Sequence, residues 1–174
     1  MQINQILLKQ TISKTLVSAL CGLTLYIPIA SAEKALSVTI KRLTMESANL
    51  VATTAVTTCR KMGIQVTATV VDRNGVIQSV VRDTLAPPVS IDISRMKAYT
   101  AANFTADTSA LGRQANSPIG RVSGLVMSDG GAMINVGGII YGAVGVSGAP
   151  SGKTDEKCAK AGVEAISEEL EMAD

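Results

Sequence analysis

The sequence predicts an α+β domain, an antiparallel sheet covered by helices, and three features carry that prediction. A stretch of helical period between Thr44 and Met62 gives way to an alternating segment that turns back through Asp72-Arg-Asn-Gly75. Further on, Gly137-Gly138 turns the chain into an apolar, β-branched run from Ile139 to Val146. That run passes through a Gly/Pro/Ser loop, 147–152, into a final helix. Strands in hairpins, with helices before, between and after them, are the α+β pattern.

The chain has 174 residues, enough for one domain, and the first 32 are expected to lie outside it. Lys9 and Lys14 form a basic start, Thr15 to Ile29 an apolar core, and Ala30-Ser-Ala32 a small-residue cleavage site. That is the pattern of a secretory signal peptide. Its apolar core is short for a membrane span, and Leu20 before Cys21 is not the small residue of a lipoprotein signal. The expected organisation is a signal peptide, 1–32, followed by a single domain, 33–174, periplasmic or secreted and without a membrane anchor. Removing Lys9 and Lys14 brings the 16 basic residues level with the 14 acidic ones. With no basic face, no Trp and one Phe, Phe104, the chain lacks the charge and the stacking platforms that nucleic acid requires.

Glu33 to Arg42 reads as an extended lead-in. Thr44 is the expected N-cap of the first helix, with Leu50, Val51, Ala55 and Cys59 in rough helical period and Gly63 as its terminator. Gln65 to Val71 and Val76 to Val81 are the expected strands of a hairpin, joined where Asn74-Gly75 tolerates positive φ. Pro87-Pro88 breaks the chain, and Ser90 is the expected cap of a second helix, Ile91 to about Phe104. A short helix is expected near Thr108 to Gln114, then a loop from Ala115 to Gly120. Leu125 to Met127 and Ala132 to Asn135 are short strand candidates. Thr154 is the expected cap of the last helix, which runs to about Met172 and is acidic at its end, against the helix dipole.

The chain contains no histidine, so no Ser-His or Cys-His nucleophile and no imidazole metal site can be built. Asp72, Asp83, Asp92, Asp107 and Asp129 all sit where turns and caps use aspartate. Ser147-Gly-Ala-Pro-Ser-Gly-Lys-Thr154 imitates a phosphate-binding loop at its end. It begins with Ser where that motif needs Gly, and Pro150 removes an N–H from the cradle. Nothing in these residues demands an enzyme.

Gly142-Ala-Val-Gly-Val-Ser-Gly-Ala-Pro-Ser-Gly152 and Asp155-Glu-Lys-Cys-Ala-Lys-Ala-Gly162 resemble the signature of the GlcG/HbpS-type haem-binding protein family. The resemblance extends through Val70-Val-Asp-Arg-Asn-Gly75 and Arg95-Met-Lys-Ala-Tyr-Thr-Ala101, covering the chain from about Leu43 onward. It implies a profilin-like layered domain, a homo-oligomer, and haem or another tetrapyrrole as ligand. Many relatives read Pro-His-Thr where this chain reads Pro88-Val89-Ser90, so the candidate iron ligand of the family is Val89 here. Met96 and Tyr99, on one face of the second helix, then become the candidate metal ligands, with Lys97 available to a propionate. Met127, Met133 and Tyr141 are further candidate ligands; for these, as for Met96 and Tyr99, the plainer role is core or interface packing. A different class of function stays open, a binding module for a small anionic, hydroxy-acid-like ligand. Its cradle would be the N–H groups of Gly130, Gly131 and the loop from Ser147, with Arg95, Lys97 or Lys153 for charge. A structural oligomer that binds a partner protein is the third reading.

Cys59 and Cys158 remain after processing. If the first and last helices pack side by side and antiparallel, the end of one meets the start of the other, and an oxidising compartment would join the two as a disulfide.

Overall fold

Helix α1, Met45–Lys61, begins as expected: Thr44 holds extended backbone angles and its hydroxyl accepts a hydrogen bond from the Ser47 N–H. Ala48, Val51, Ala52, Ala55, Val56 and Cys59 recur at helical spacing and form its buried stripe. The computed structural model describes residues 35–173; the expected signal peptide lies outside them. Residues 39–174 form one unit, and 35–38, in a second unit, carry no helix or strand.

Strands β1, Thr67–Asp72, and β2, Ile77–Arg82, follow as an antiparallel hairpin. Asp72 closes its turn by accepting the N–H groups of Asn74 and Val76 on Oδ1, while Gly75 takes a φ of +80°. Helix α2, Ser90–Phe104, leads into three short 3-10 turns, Thr108–Leu111, Gln114–Asn116 and Pro118–Arg121. Strands β3, Gly131–Val136, and β4, Ile139–Ser147, pair across the two-residue turn Gly137-Gly138, both at positive φ. Helix α3, Gly152–Ala173, is last. The sheet order is β2-β1-β4-β3, every neighbouring pair antiparallel.

The period of two along the strands sorts side chains to two unlike faces. Ala68, Val70, Ile134, Val144 and Val146 meet α1 and α3 in the larger core. Burying each Val or Ile there contributes about 1.5–3 kcal/mol. Cys59 and Cys158 are fully buried in this layer and joined, their Cα atoms 5.7 Å apart, as the antiparallel packing required. The opposite face is lined by small and hydroxylated residues. Thr67 and Thr69 share hydrogen bonds with Ser90 and Ser94 of α2, and Val71 and Ala143 pack with Ala98, Ala101 and Ala102. Close approach is what this face is built for. A Cβ on Gly145 would lie 2.1 Å from the Ser94 carbonyl oxygen, so only glycine lets α2 sit there. The result is the predicted α+β architecture in three layers: α1 and α3, the sheet, and α2.

Four local expectations change. Ser90 lies inside α2 and turns its hydroxyl to Thr67 and the Pro87 carbonyl; the cap position is Val89, which offers no side-chain acceptor. Ser151, not Thr154, caps α3, its hydroxyl meeting the Thr154 N–H at 3.3 Å. Leu125 to Met127 is not a strand, because the Val126 N–H is taken by the Thr100 hydroxyl and not by a neighbouring strand. The expected helix at Thr108 to Gln114 is broken into 3-10 turns.

Candidate functional site

Most of the candidate residues fall in two separate places. Val89, Met96 and Tyr99 share the outward face of α2, at i, i+7 and i+10. Met96 and Tyr99 are half-buried and Val89 is 60% exposed. The Tyr99 ring is stationed over the β1–β2 turn: a Cβ added to Gly75 would lie 2.6 Å from it. No hydrogen-bond partner for its hydroxyl occurs among the described residues. Arg95, half-buried on the flank of this face, likewise has no ion-pair partner among them.

The second place gathers Lys97, Gly130, Gly131 and Ser147. Lys97 is 3% exposed, and its Nζ donates to Asp155 Oδ2 at 2.8 Å and to the Val146 carbonyl at 3.0 Å. Its ammonium therefore serves the interior and is not presented to a propionate. The Gly130 backbone makes room for it, since a Cβ there would lie 2.6 Å from Nζ. The expected anion cradle holds the protein's own anion. Asp155 Oδ1 accepts the Ala149 N–H, the Gly131 N–H goes to Thr108, and the Gly130 carbonyl accepts from Val146. Burial pushes the Asp155 carboxyl above its ordinary pKa, against the opposing pull of Lys97 and the Ala149 N–H. Ser147 is buried at the end of β4, opposite Thr67.

Tyr141 belongs to neither place. It is buried in the core between the sheet and the α1/α3 layer, across the sheet from Met96 and Tyr99. Met127 is buried just after the Thr100-bonded Val126, and Met133 is half-buried on β3, its N–H donating to Asp107.

A third place lies on the α1/α3 side. A groove of about 590 Å³ is lined by Thr58, Ser109, Asp129 and one face of α3 from Lys153 to Glu164. Glu156 is nearly buried in its wall and accepts hydrogen bonds from Ser109 at 3.0 Å and Lys160 at 2.6 Å. Lys160 also meets Asp107 at 3.1 Å, and these two carboxylates raise its pKa. Sequence reasoning missed Asp155, Glu156 and Asp107 as partners. Asp155, Cys158, Ala159, Gly162 and Ile166 form one buried stripe of α3, at a spacing the sequence shows. No group of three or more Cys, Asp or Glu residues placed to hold a metal ion occurs among the described residues.

A three-layer α+β domain with an interior Lys–Asp pair, a histidine-free surface and an apolar-to-phenolic stripe on α2 is the class that the geometry defines. The sequence profile of the family described as "Haem degrading protein HbpS-like" matches residues 43–164. The chain belongs to the HbpS-like family. It is 34% identical to a double mutant of Streptomyces reticuli HbpS, with 80% of this chain and 96% of that one covered and a TM-score of 0.71. A structure of HbpS gives 33% identity, 78% and 98% coverage and the same TM-score of 0.71. A complex of PduOC with haem shares the fold at 24% identity, with 72% and 95% covered and a TM-score of 0.66. No curated protein matches the chain in sequence.

Proposed function

We propose that the protein is an exported haem- or tetrapyrrole-binding protein that works without a histidine ligand. One observation carries the reading to a place: the outward face of α2 offers Val89, Met96 and a Tyr99 hydroxyl with no partner among the described residues. From Val89 to Tyr99 the helix rises about 15 Å, long enough to lie along a macrocycle. Membership of a family described as haem-degrading, and a protein of the same fold solved with haem, support haem as the ligand class. The residues fit the group in kind. A phenolate is a known axial ligand of haem iron, and thioether and aliphatic side chains suit a porphyrin face. Arg95 replaces Lys97 as the residue for a propionate, because Lys97 is committed to Asp155. Bound haem would supply iron redox chemistry; the chain's own part is to hold it, through Tyr99 and Arg95, against Met96 and Val89.

The test is a haemin titration of the purified protein followed by Soret absorbance. A saturable shift at micromolar haemin is expected; an unshifted band refutes the reading. The anionic-ligand alternative loses its expected cradle to Asp155. Export rests on the 1–32 pattern, and N-terminal sequencing of protein recovered from the producing cells should start near Glu33. A homo-oligomer is proposed as well, to be read by light scattering. Among the described residues no helix is long and apolar enough to cross a membrane.

A further inference from the structure

The groove on α3 is unlike the haem face, and its charges are arranged in an order. Lys153 and Lys157 stand at the start of the helix, where the dipole is already positive, and Glu164 stands two turns further along the same face. Asp129 flanks the Lys153 end, next to Gly152. Among the described residues none of these four charges has an ion-pair partner, whereas Lys160 is shared by Glu156 and Asp107. Lys153, in the first turn, opposes the dipole, and among the described residues neither it nor Lys157 forms an ion pair. Glu156, in the same wall, spends Oε1 on Ser109 and Lys160, and its buried Oε2 has no donor. The groove thus asks for an anionic group at one end, a cationic group at the other, and N–H donors between them.

We propose that this groove binds a short peptide of about three residues, its carboxylate at Lys157 and Lys153 and its α-ammonium at Glu164. The dimensions agree. Glu164 lies seven positions along the helix from Lys157, a rise of about 10 Å. An extended tripeptide spans about 10–11 Å. Amide N–H groups along the peptide supply donors of the kind that Glu156 lacks, and Thr58 and Ser109 add hydroxyls to the wall. The groove's volume lies within the usual range of small-molecule sites. Its lining shares no residue with the α2 face, so the proposal is independent of the haem reading.

The experiment is calorimetric titration, without haemin, of the protein as recovered from the producing cells. The probes are trialanine, N-acetyl-trialanine, trialanine amide and 8-aminooctanoate. Trialanine should bind saturably at one site per chain, and each cap should weaken it about fivefold, the upper range for a solvent-exposed charge pair. Lys157→Gln should weaken trialanine about as much and leave the amide unaffected; Glu164→Gln should do the same for the acetylated peptide. Both residues are exposed and unpaired among the described residues, so these variants keep the fold. Arg73→Gln, in the β1–β2 turn, should change nothing. If 8-aminooctanoate binds as well as trialanine, the termini alone are read; if it binds less, the amides are read too. No saturable trialanine binding, preference for 8-aminooctanoate alone, or losses in the variants that ignore the caps would overturn the proposal.

Discussion

Removing the Cys59–Cys158 bond should cost this domain more than any surface change. The bridge joins positions 99 apart, so breaking it releases nearly the whole folded unit in the unfolded state. In the loop-entropy model a closed loop of that length is worth about 4.7 kcal/mol. Unfolding entropy is about 2.1 cal/mol/K per residue, or roughly 0.28 kcal/mol/K for about 135 ordered residues, so Tm should fall by roughly 17 °C. That is an upper value, because residual structure in the reduced chain lowers it. Both cysteines are fully buried, so reductant reaches the bond only when the layer opens. The assay is therefore calorimetry of protein unfolded with reductant and refolded under reducing conditions, beside the oxidised protein and the Cys59→Ala/Cys158→Ala variant. Thiols are counted under denaturing, non-reducing conditions. A Tm difference below about 3 °C, or two free thiols from these positions in the untreated protein, refutes the reasoning.

Lys97→Met should destabilise the domain by about 3–5 kcal/mol at pH 7 in urea unfolding, because it strands Asp155 as a buried unpaired charge. The deficit should shrink as pH falls, since burial already raises the Asp155 pKa and protonation removes the charge; a pH-independent deficit would contradict this. The Asp83 carboxylate is held below its ordinary pKa by the Arg60 guanidinium, at 2.8 Å. A depressed carboxylate contributes stability above its unfolded pKa that is lost as pH falls through the folded one. Arg60→Gln should therefore lower the urea midpoint at pH 7 and leave it nearly unchanged at pH 2–3. Gly145→Ala drives a methyl into the Ser94 carbonyl and should cost about 1–3 kcal/mol, visible as a lower urea midpoint.

The sequence made the sheet and its helices legible because turns and caps are local. Asp72-Arg-Asn-Gly75, Gly137-Gly138, Thr44 and Gly63 all act as their residue types dictate. The approach of α1 to α3 was legible too, since one pair of cysteines fitted one packing. Partnerships across the sequence were not. Lys97 read as a free cation until β4 and α3 brought Asp155 to it, 58 positions away. Ser90 read as a cap because nothing local shows that Thr67 waits across the layer. Tyr141 and Tyr99 looked equivalent as candidate ligands, and only the sheet between them separates a core residue from an outward one. The groove on α3 had no sequence signal beyond the spacing of Lys153, Lys157 and Glu164.

Haem held by Tyr99 on the outward face of α2 is the central claim, and side-by-side haemin titrations of the wild type and Tyr99→Phe test it most directly. The substitution keeps the ring over Gly75 and removes only the hydroxyl, which has no partner among the described residues, so the fold is unaffected. The account predicts a saturable Soret shift for the wild type, and for Tyr99→Phe at least tenfold weaker binding with loss of the phenolate-to-iron absorption. Identical spectra and affinities for the two proteins would contradict it.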